Sequence, residues 1–508
     1  MDQKRIIILP GEAWYGCRCD DGFLMPITAE SVYTCCLEPS ASVNQVNPLL
    51  LSSRGRWLWC DTGFTVDVRD GVMLVTARAG TLELKEGSGT LRGAYLAARD
   101  AHFPPTGKLP PENFFVKPQY NTWIELGLHQ TQERILEYAH RILDEGYPAG
   151  ILMIDDGWNK NYGTLEFVTE TFPDPKGMMD ELHALGFEVM LWICPFISAD
   201  TPVGRMLAKR GLLVRDPDGE VAIKHWWDGY SAVLDLSNPE ALDWFRAQLD
   251  GLMADYGVDG FKFDAGDARF YAESDVTLGN LMPNGETAAW AKLGSEYAYN
   301  EFRACYTCAG YPLVQRLHDK CHTWDTDGMA SLVPNQLLQG ILGFAYTCPD
   351  MIGGGMLGSF REEGFRLDEE LFVRYAQCAA LSPMMQFSAA PWRVLSPENN
   401  RRCLDTARLH TRWADLILRL ARESAATGEP IYRYMEYVFP GEGLAAVTDQ
   451  FMLGDGLLVA PVLEKGARTR TVRLPDGRWR YLDGTVYDGG GAVTVPADLD
   501  TLPYFEKL

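Results

Sequence analysis

Residues 258–267 read VDGFKFDAGD, an apolar and aromatic run that leads directly into an aspartate. This pattern is typical of a buried strand, and the small residues after Asp264 let a ligand approach the strand's carboxyl end. Lys262 stands two residues before Asp264, so both side chains point to the same side of the strand. A neighbouring ammonium group lowers the pKa of a carboxyl group and keeps it ionised, as a nucleophile requires. A structural Lys–Asp pair that closes a strand is the alternative.

Around this stretch the chain alternates short apolar runs with segments of helical periodicity, which indicates repeated strand–helix units. The apolar runs predict eight strands, at residues 150–156, 187–196, 232–237, 258–266, 304–309, 322–327, 344–353 and 384–390. Eight such repeats favour an α/β fold of the closed (β/α)8 type, a TIM barrel, over an open doubly wound sheet. A doubly wound sheet would need a phosphate-binding glycine loop after its first strand, and Asp155-Asp156-Gly157-Trp158 is not one.

The barrel is predicted to carry a β-domain at each end. Short alternating runs such as WLWCDTGFTVDV predict a short, sandwich-like N-terminal β-domain over residues 1–115, which the proline-rich HFPPTGKLPPENFF brings to an end. The barrel itself is predicted over residues 116–426. Residues 427–508 return to short β runs, which predict a C-terminal all-β domain.

Charge and cysteine use restrict the partners. A net charge of -23 over 508 residues argues against nucleic acid and against a membrane surface, since both are polyanions. No signal-peptide pattern and no membrane-spanning run are found, so we expect a cytoplasmic protein whose twelve cysteines are reduced core thiols. Cys305 and Cys308 have the spacing of a zinc or redox pair, but no second such pair exists. We predict no metal and no cofactor, and leave a homo-oligomer open.

In such barrels the chemistry lies at the carboxyl ends of the strands. Carboxylates and indoles dominate these ends, with Lys262 as the single lysine; they are Asp155, Asp156, Trp158, Trp192, Trp227, Trp324, Asp327 and Asp350. Aromatic faces with hydrogen-bonding carboxylates suit a sugar, whose C–H face is apolar and whose rim carries hydroxyls. A class I aldolase would need a Schiff-base lysine, and Lys262 has an acid beside it. The strand ends therefore predict a carbohydrate substrate, with plain core packing as the alternative for the indoles.

Two carboxylates at strand ends, Asp264 and Asp327, form a predicted catalytic pair. Glycoside hydrolysis needs one ionised and one protonated carboxyl group, on opposite sides of the glycosidic bond. Asp264, beside Lys262, fits the ionised role. Asp327 follows Trp324 and lies near Asp325, surroundings that raise the pKa of a carboxyl group, so it fits the protonated role. The alternative for Asp327 is a helix cap, because TDGMAS precedes a helical segment.

At these residues the chain resembles glycoside hydrolase family 31. VDGFKFDAGD resembles the family's nucleophile motif, TWDTDGMAS its acid/base segment, and CPDMIGGG its Asp-Ile-Gly-Gly run, while QFMLGDGLLVAPVLEKG resembles its C-terminal β-domain. The resemblance implies that Asp264 is the nucleophile of a retaining enzyme, that Asp327 is its acid/base, and that Asp350 binds the sugar in subsite -1. PQYNTWIEL, KFDAGD and PDMIGGG are similar to the branch that contains the myogenesis-regulating glycosidase and bacterial α-galactosidases.

The departures from the family pattern bear on the sugar. The eighth predicted strand reads MQFSAAPW and lacks the Arg-x-His run that α-glucosidases of the family use for sugar hydroxyls. The first predicted strand ends in IDDGW, which is similar to the related α-galactosidases, whose paired aspartates bind the axial O4 and O6 of galactose. We therefore expect an exo-acting α-galactosidase with Asp155, Asp156 and Lys262 on the ring hydroxyls. An α-glucosidase or α-xylosidase is the nearer alternative, and a non-catalytic sugar-binding barrel the more distant one.

Overall fold

Eight parallel strands form the central sheet of the computed structural model, which describes residues 1–361 and 364–508. In chain order they are β1 Gln119–Asn121, β2 Ile151–Ile154, β3 Glu188–Ile193, β4 Gly260–Phe263, β5 Tyr299–Phe302, β6 Gln315–Arg316, β7 Thr347–Cys348 and β8 Gln386–Phe387. β1 pairs with both β2 and β8. Ile352, just after β7, donates its backbone N–H to the carbonyl of Gln386 in β8 at 2.8 Å. The two edges therefore meet, and the strands form the predicted (β/α)8 barrel, nearly closed.

Five of the predicted strands coincide with barrel strands, and three predictions are wrong. Residues 304–309 leave the barrel, because Cys305–Tyr306 pairs with Gln45–Ser52 of an N-terminal sheet. The predicted strand 232–237 overlaps only the last two residues of Gly229–Val233. That strand pairs with Lys224–Trp226 as an antiparallel hairpin outside the barrel. Residues 322–327 form a loop. Apolar or aromatic residues in these three runs are buried by other layers, which gives them the pattern of strands.

The barrel strands absent from the sequence prediction are β1, β5 and β6, and each carries polar side chains that are fully buried. The Gln386 amide donates to Glu301 at 2.7 Å and to Gln119 at 3.0 Å. Arg316 donates to the other oxygen of Glu301 at 3.2 Å. Because several of these buried polar groups bond to one another, these strands do not need the apolar run that marks the other strands.

Longer helices lie between the barrel strands, and the last two follow β8. They are α1 Gln132–Asp144, α2 Pro175–Ala184, α3 Pro202–Arg210, α4 Pro239–Tyr256, α5 Pro283–Gly294, α6 Leu332–Ile341, α7 Glu369–Ala380, α8 Pro397–Arg412 and α9 Ala414–Thr427. The Thr131 and Asp174 side chains accept backbone N–H groups in the first turns of α1 and α2. No helix connects β5 to β6, where the chain runs to the N-terminal sheet instead. Within the described ranges, no helix has the length and apolarity that crossing a bilayer requires.

Smaller elements lie in the loops of the barrel. They are the strands Asn159–Asn161, Thr164–Phe167, Phe196–Ile197 and Lys224–Trp226, the 3-10 helices Ala268–Phe270, Met329–Ser331 and Leu357–Phe360, and the short helices Asn113–Val116, Trp123–Leu126 and Pro391–Val394. Phe196–Ile197 and Lys224–Trp226 both pair with Gly229–Val233, so a three-stranded sheet follows β3.

Two antiparallel sheets and one helix, Leu91–His102, precede the barrel. Their strands are Asp2–Ile7, Tyr33–Cys36, Thr65–Arg69 and Val72–Ala77 in one sheet, and Trp14–Arg18, Gln45–Ser52, Arg56–Trp59 and Glu83–Glu86 in the other, with the 3-10 helix Cys19–Leu24 between them in sequence. The buried Gln45 amide donates to the carbonyls of Arg303 at 2.7 Å and Arg316 at 2.9 Å. The N-terminal sheet thus holds the chain at the carboxyl ends of β5 and β6.

Antiparallel strands follow the barrel. Their bounds are Tyr432–Arg433, Phe451–Leu453, Leu457–Val459, Arg478–Tyr481, Val486–Asp488 and Tyr504–Lys507 in a six-stranded sheet, with Thr469–Leu474 and Gly491–Pro496 as a separate pair and Met435–Val438 as a short helix. The buried Arg374 guanidinium of α7 donates to the carbonyls of Ala467 at 3.0 Å and Ala497 at 2.7 Å. These charge-assisted bonds fix the C-terminal sheets against the barrel.

Candidate active site

The carboxyl ends of β2 and β4 bring one lysine and two aspartates together. The Lys262 ammonium lies 2.7 Å from Oδ2 of Asp155 and 3.7 Å from Oδ2 of Asp264, and all three side chains are buried. Burial by itself lowers the pKa of a lysine, but the two carboxylates outweigh burial and raise the pKa of Lys262. The three groups therefore form a buried ion cluster at the mouth of the barrel.

Asp264 is held as an ionised carboxylate. Burial favours its neutral form, yet the charges of Lys262 and Arg303 and a hydrogen bond from Trp192 lower the pKa of Asp264 far below its ordinary value. The Trp192 indole N–H donates to Oδ2 at 3.0 Å, and the Arg303 guanidinium donates to Oδ1 at 3.2 Å. Ala265 donates its backbone N–H to Oδ1 at 2.8 Å and has a φ of 56°, a strained value for a residue other than glycine. The backbone is thus bent to hold this carboxylate.

Arg303, just beyond β5, joins Asp264 to a second buried aspartate. It donates to both oxygens of Asp267, at 2.9 and 2.6 Å, and Asp267 is fully buried. The half-exposed ring of Trp227 lies over the guanidinium, with 5.4 Å between the Arg303 carbon and the ring centroid. Trp227 therefore lies at the rim of the cluster, where Arg303 stands between its ring and Asp264.

Asp156 lies next to the cluster and titrates differently from Asp264. Burial, with the charges of Asp155 and Asp228, raises the pKa of Asp156 to about 7, although a hydrogen bond from Tyr162 lowers it. The Tyr162 hydroxyl donates to Asp156 at 2.9 Å and also contacts the exposed Asp228. The IDDGW run thus presents two unlike carboxyl groups, one tied to Lys262 and one that changes charge near neutral pH.

A second buried cluster lies at the carboxyl ends of β6 and β7. Asp350 accepts the Arg316 guanidinium at 2.6 Å, and its other oxygen accepts the backbone N–H groups of Lys320 and Gly355, both at 2.6 Å. Arg316 also donates to Asp319 at 3.0 Å. The Asp319 side chain is 31% exposed, whereas Arg316 and Asp350 are buried. Asp319 is therefore the member of this cluster that faces solvent.

Asp327 and Trp324 lie further along the loop after β6. Asp327 is exposed, and among the described residues no hydrogen bond or ion pair connects its carboxylate to the Asp264 cluster. Its backbone N–H bonds to Asp325 at 3.1 Å, and its carbonyl accepts from Cys321 at 2.9 Å. The Trp324 indole N–H donates to Asp368, at the start of α7, at 3.0 Å.

The remaining predicted indole, Trp158, follows β2 and is enclosed by other side chains. Its side chain is fully buried, with its ring centroid 4.8 Å from that of Phe167, and its N–H donates to the Trp192 carbonyl at 2.8 Å. Trp158 therefore packs against β3 and Phe167, and its role in substrate binding stays a prediction.

Reasoning from sequence missed Arg303, Arg316, Asp319 and Tyr162. Arg303 and Arg316 follow or end short strands that the sequence did not predict, so their positions at strand ends were not visible. The available signal was two arginines in YNEFRACYTCAGYPLVQR, a stretch whose only other charged residue is Glu301, where a barrel interior rich in carboxylates needs cations. No cluster of three or more His, Cys, Asp or Glu side chains in the described part of the chain is arranged to hold a metal.

This arrangement suits a particular class of chemistry. A carboxylate that stays ionised, flanked by indole and guanidinium donors, can attack or stabilise an electron-deficient carbon, and further carboxyl groups around it can accept hydroxyl hydrogen bonds. At the carboxyl end of a (β/α)8 barrel, these features define a glycoside hydrolase.

Sequence comparison gives the family. The model of the glycosyl hydrolases family 31 TIM-barrel domain matches residues 118–412, and that of the glycosyl hydrolase family 31 C-terminal domain matches residues 428–507. The chain belongs to glycoside hydrolase family 31, as the motifs predict.

Similar proteins within the family have different activities in their names. The chain is 34% identical to the myogenesis-regulating glycosidase of Mus musculus, over 80% of this chain and 58% of that protein. It is 25% identical to the alpha-xylosidase XylQ of Lactiplantibacillus pentosus, over 75% of this chain and 51% of that protein. The chain thus spans between half and three-fifths of the length of these relatives.

Solved structures share the fold. The Flavobacterium johnsoniae family 31 dextranase complexed with glucose superposes with a TM-score of 0.86 at 21% identity, over 99% of this chain and 66% of that chain. A family 31 alpha-xylosidase from a soil metagenome complexed with xylose superposes with a TM-score of 0.85 at 23% identity, over 99% of this chain and 79% of that chain.

Proposed function

We propose that the protein is an exo-acting, retaining α-glycosidase and that its substrates are terminal α-galactosides. The observation that carries the catalytic part is the state of Asp264, which Lys262 and Arg303 keep ionised at the mouth of the barrel. A carboxylate in that state can attack the anomeric carbon through an oxocarbenium-like transition state and form a covalent glycosyl-enzyme intermediate.

The choice of galactose is supported by the adjacent carboxyl groups of Asp155 and Asp156. Asp155 shares the Lys262 ammonium with the proposed nucleophile, and Asp156 follows Asp155 in the chain. The two carboxylates as acceptors and the Lys262 ammonium as donor suit the axial O4 of galactose and the neighbouring O6. The myogenesis-regulating glycosidase is the most similar relative named above, whereas XylQ supports an α-xylosidase as the second candidate.

Two carboxylates on the loop after β6 compete for the role of acid and base. The acid/base motif points to Asp327, which is exposed and has no contact with the cluster in the described residues. Geometry favours Asp319, which is partly exposed and contacts Arg316, the buried arginine that also bonds to Asp350. Either group would protonate the leaving oxygen and then activate water.

Azide rescue distinguishes the two. Replacing the true acid/base by alanine removes base assistance from the second step, so turnover of a substrate with a good leaving group stalls at the glycosyl-enzyme, and azide restores turnover by attacking that intermediate without base assistance. We expect rescue, with release of a glycosyl azide, for Asp319→Ala. Rescue for Asp327→Ala alone would return the role to Asp327.

The sugar is tested with a panel of 4-nitrophenyl glycosides. The proposal predicts the highest kcat/KM on the α-galactoside, above the α-glucoside and α-xyloside. A preference for either of the latter would support the second candidate. Absence of turnover on every α-glycoside, with binding retained by Asp264→Ala, would support a non-catalytic sugar-binding barrel.

A further inference from the structure

A cleft of about 880 Å³ lies away from the proposed active site, between the N-terminal sheets and the barrel. Its walls come from the strand Arg56–Trp59, the start of α5 and the segment that replaces a helix between β5 and β6. None of the residues of the Asp264 and Asp350 clusters lines it. Its volume falls within the range of about 300–1,000 Å³ typical of small-molecule sites.

Two buried acceptors on the cleft wall lack a donor. Glu38 uses one carboxylate oxygen to accept the Arg78 backbone N–H at 2.9 Å, while its other oxygen has no hydrogen bond in the described structure and lies 3.8 Å from the Arg78 side chain. Asn47 is fully buried and donates to the Leu342 carbonyl at 2.8 Å, but its own amide oxygen has no donor among the described residues. Unpaired buried acceptors cost about 1–3 kcal/mol each, so a ligand that brings hydroxyl donors would recover that energy.

The rest of the wall is apolar and nearly balanced in charge. Trp59, Phe103 and Tyr306 supply aromatic carbon, and the half-exposed Tyr311 and Met282 stand at the rim. The wall also carries the carboxylates Glu38, Asp61 and Glu273 and the cations Arg78 and Lys292, and Arg78 pairs with Glu273 at 3.1 Å. Such a wall offers no net attraction to a polyanion and suits a neutral ligand with an apolar face and several hydroxyl groups.

We propose that this cleft is a second carbohydrate-binding site, which binds a neutral oligosaccharide without hydrolysing it. Sugar C–H faces pack on the aromatic wall. The Glu38 and Asn47 side chains rotate to bring their buried free oxygens to the cleft surface, where sugar hydroxyls donate to them. The cleft's chemistry carries this inference, which relies on the proposed function only for the choice of oligosaccharides as probes.

The test is a titration calorimetry experiment with raffinose and maltotriose on the Asp264→Ala protein, which cannot turn the probes over. We expect a binding event beyond that of the barrel, weakened about tenfold by Glu38→Gln, which keeps the bond to Arg78 but replaces the free acceptor by a donor. Ala288→Trp, on the helix wall, should fill the cleft and abolish the event. Glu112→Gln, at an exposed ion pair with Arg422, serves as the matched control and should leave the event unchanged.

Aryl glycoside hydrolysis by the same substitutions in the wild-type background separates the two proposals. Unchanged hydrolysis together with loss of the second binding event is the expected result. Identical binding isotherms for the Glu38→Gln, Ala288→Trp and control proteins, or no second event with either probe, would overturn the cleft proposal while leaving the proposed hydrolysis intact. Binding in the cleft by a protein that hydrolyses no glycoside would contradict only the proposed function.

Discussion

The ammonium group of Lys262 lies 2.7 Å from Asp155, closer than its 3.7 Å distance to Asp264. Lys262, which the sequence places two residues before the proposed nucleophile, is thus chiefly the partner of an aspartate two strands away. Arg303, at 3.2 Å, supplies the shorter ion pair to Asp264. The proposed nucleophile and the proposed sugar-binding aspartate therefore share one buried cation, and each depends on the other's charge.

Removing the Lys262 ammonium should lower kcat/KM by more than the accompanying loss of folding stability would explain. In Lys262→Met, two buried carboxylates lose their common partner, so the pKa of Asp264 rises toward its ordinary value. We predict a fall in kcat/KM of about 10²-fold or more and a shift of the acidic limb of the pH profile to higher pH. The measurement is the pH dependence of kcat/KM on the best aryl glycoside.

Lys224→Met is the matched control for this change. Lys224 is also a buried lysine paired with a carboxylate, Asp275, but it lies outside the Asp264 cluster. The Lys224→Met substitution should lower the free energy of unfolding without moving the acidic limb of the kcat/KM profile. Equal shifts of the limb in both variants would show that Lys262 acts through general stability.

Asp156 should give the pH profile a second limb. Burial raises its pKa to about 7, so the free protein carries it protonated below that pH and ionised above. An ionised carboxylate is the better acceptor for sugar hydroxyls, so we predict that kcat/KM rises as the pH increases through about 7. This limb should vanish in Asp156→Asn.

Asp228→Asn is the control for the assignment to Asp156. The Asp228 charge raises the pKa of Asp156, so its removal should move the limb to lower pH without abolishing it. A profile that keeps its limb near pH 7 in Asp156→Asn would assign the titration to another group.

Glu286 should make the fold less stable as the pH rises. It is buried on α5, neither of its carboxylate oxygens has a hydrogen-bond partner in the described structure, and burial raises its pKa to about 8. Between about pH 4.5 and pH 8 the unfolded chain releases this proton while the folded protein keeps it, so the free energy of unfolding falls across that window. Glu286→Gln cannot ionise and should gain roughly 1–3 kcal/mol over wild type at pH 8.

Chemical denaturation at pH 5 and pH 8 checks this expectation. The gain of Glu286→Gln should shrink toward pH 5, and Glu112→Gln, at an exposed carboxylate, should show no such trend. A Glu286→Gln protein that is equally destabilised at both pH values would contradict the prediction.

Strands with apolar runs could be predicted from sequence, and polar strands could not. The runs GILMIDD and FKFDAGD predict β2 and β4 because most side chains within these two strands are apolar. Gln315–Arg316 does not, because both side chains are polar although buried, and Arg316 bonds to partners distant in sequence, Glu301 and Asp350. Such pairing becomes visible only when the strands are brought together.

The candidate active site, too, could be predicted only where its residues stand on one predicted strand. Lys262 and Asp264 stand on one strand, so the period of two places them together without knowledge of the fold. Arg303 and Asp319 reach the site from loops after β5 and β6 whose strands were not predicted, and the loop containing Asp327 was predicted as a strand. The domain boundaries, the cytoplasmic location, the homo-oligomer and the roles of the individual site residues stay predictions.

The stereochemistry of hydrolysis tests the central claim, that Asp264 acts as the nucleophile of a retaining glycosidase. The measurement is proton NMR of the first-formed sugar during rapid hydrolysis of 4-nitrophenyl α-galactoside, before mutarotation, with Asp264→Asn as the inactive control. We predict the α-anomer as the initial product, because two displacements at the anomeric carbon restore its configuration. Initial release of the β-anomer would require a single displacement by water and would contradict a covalent role for Asp264.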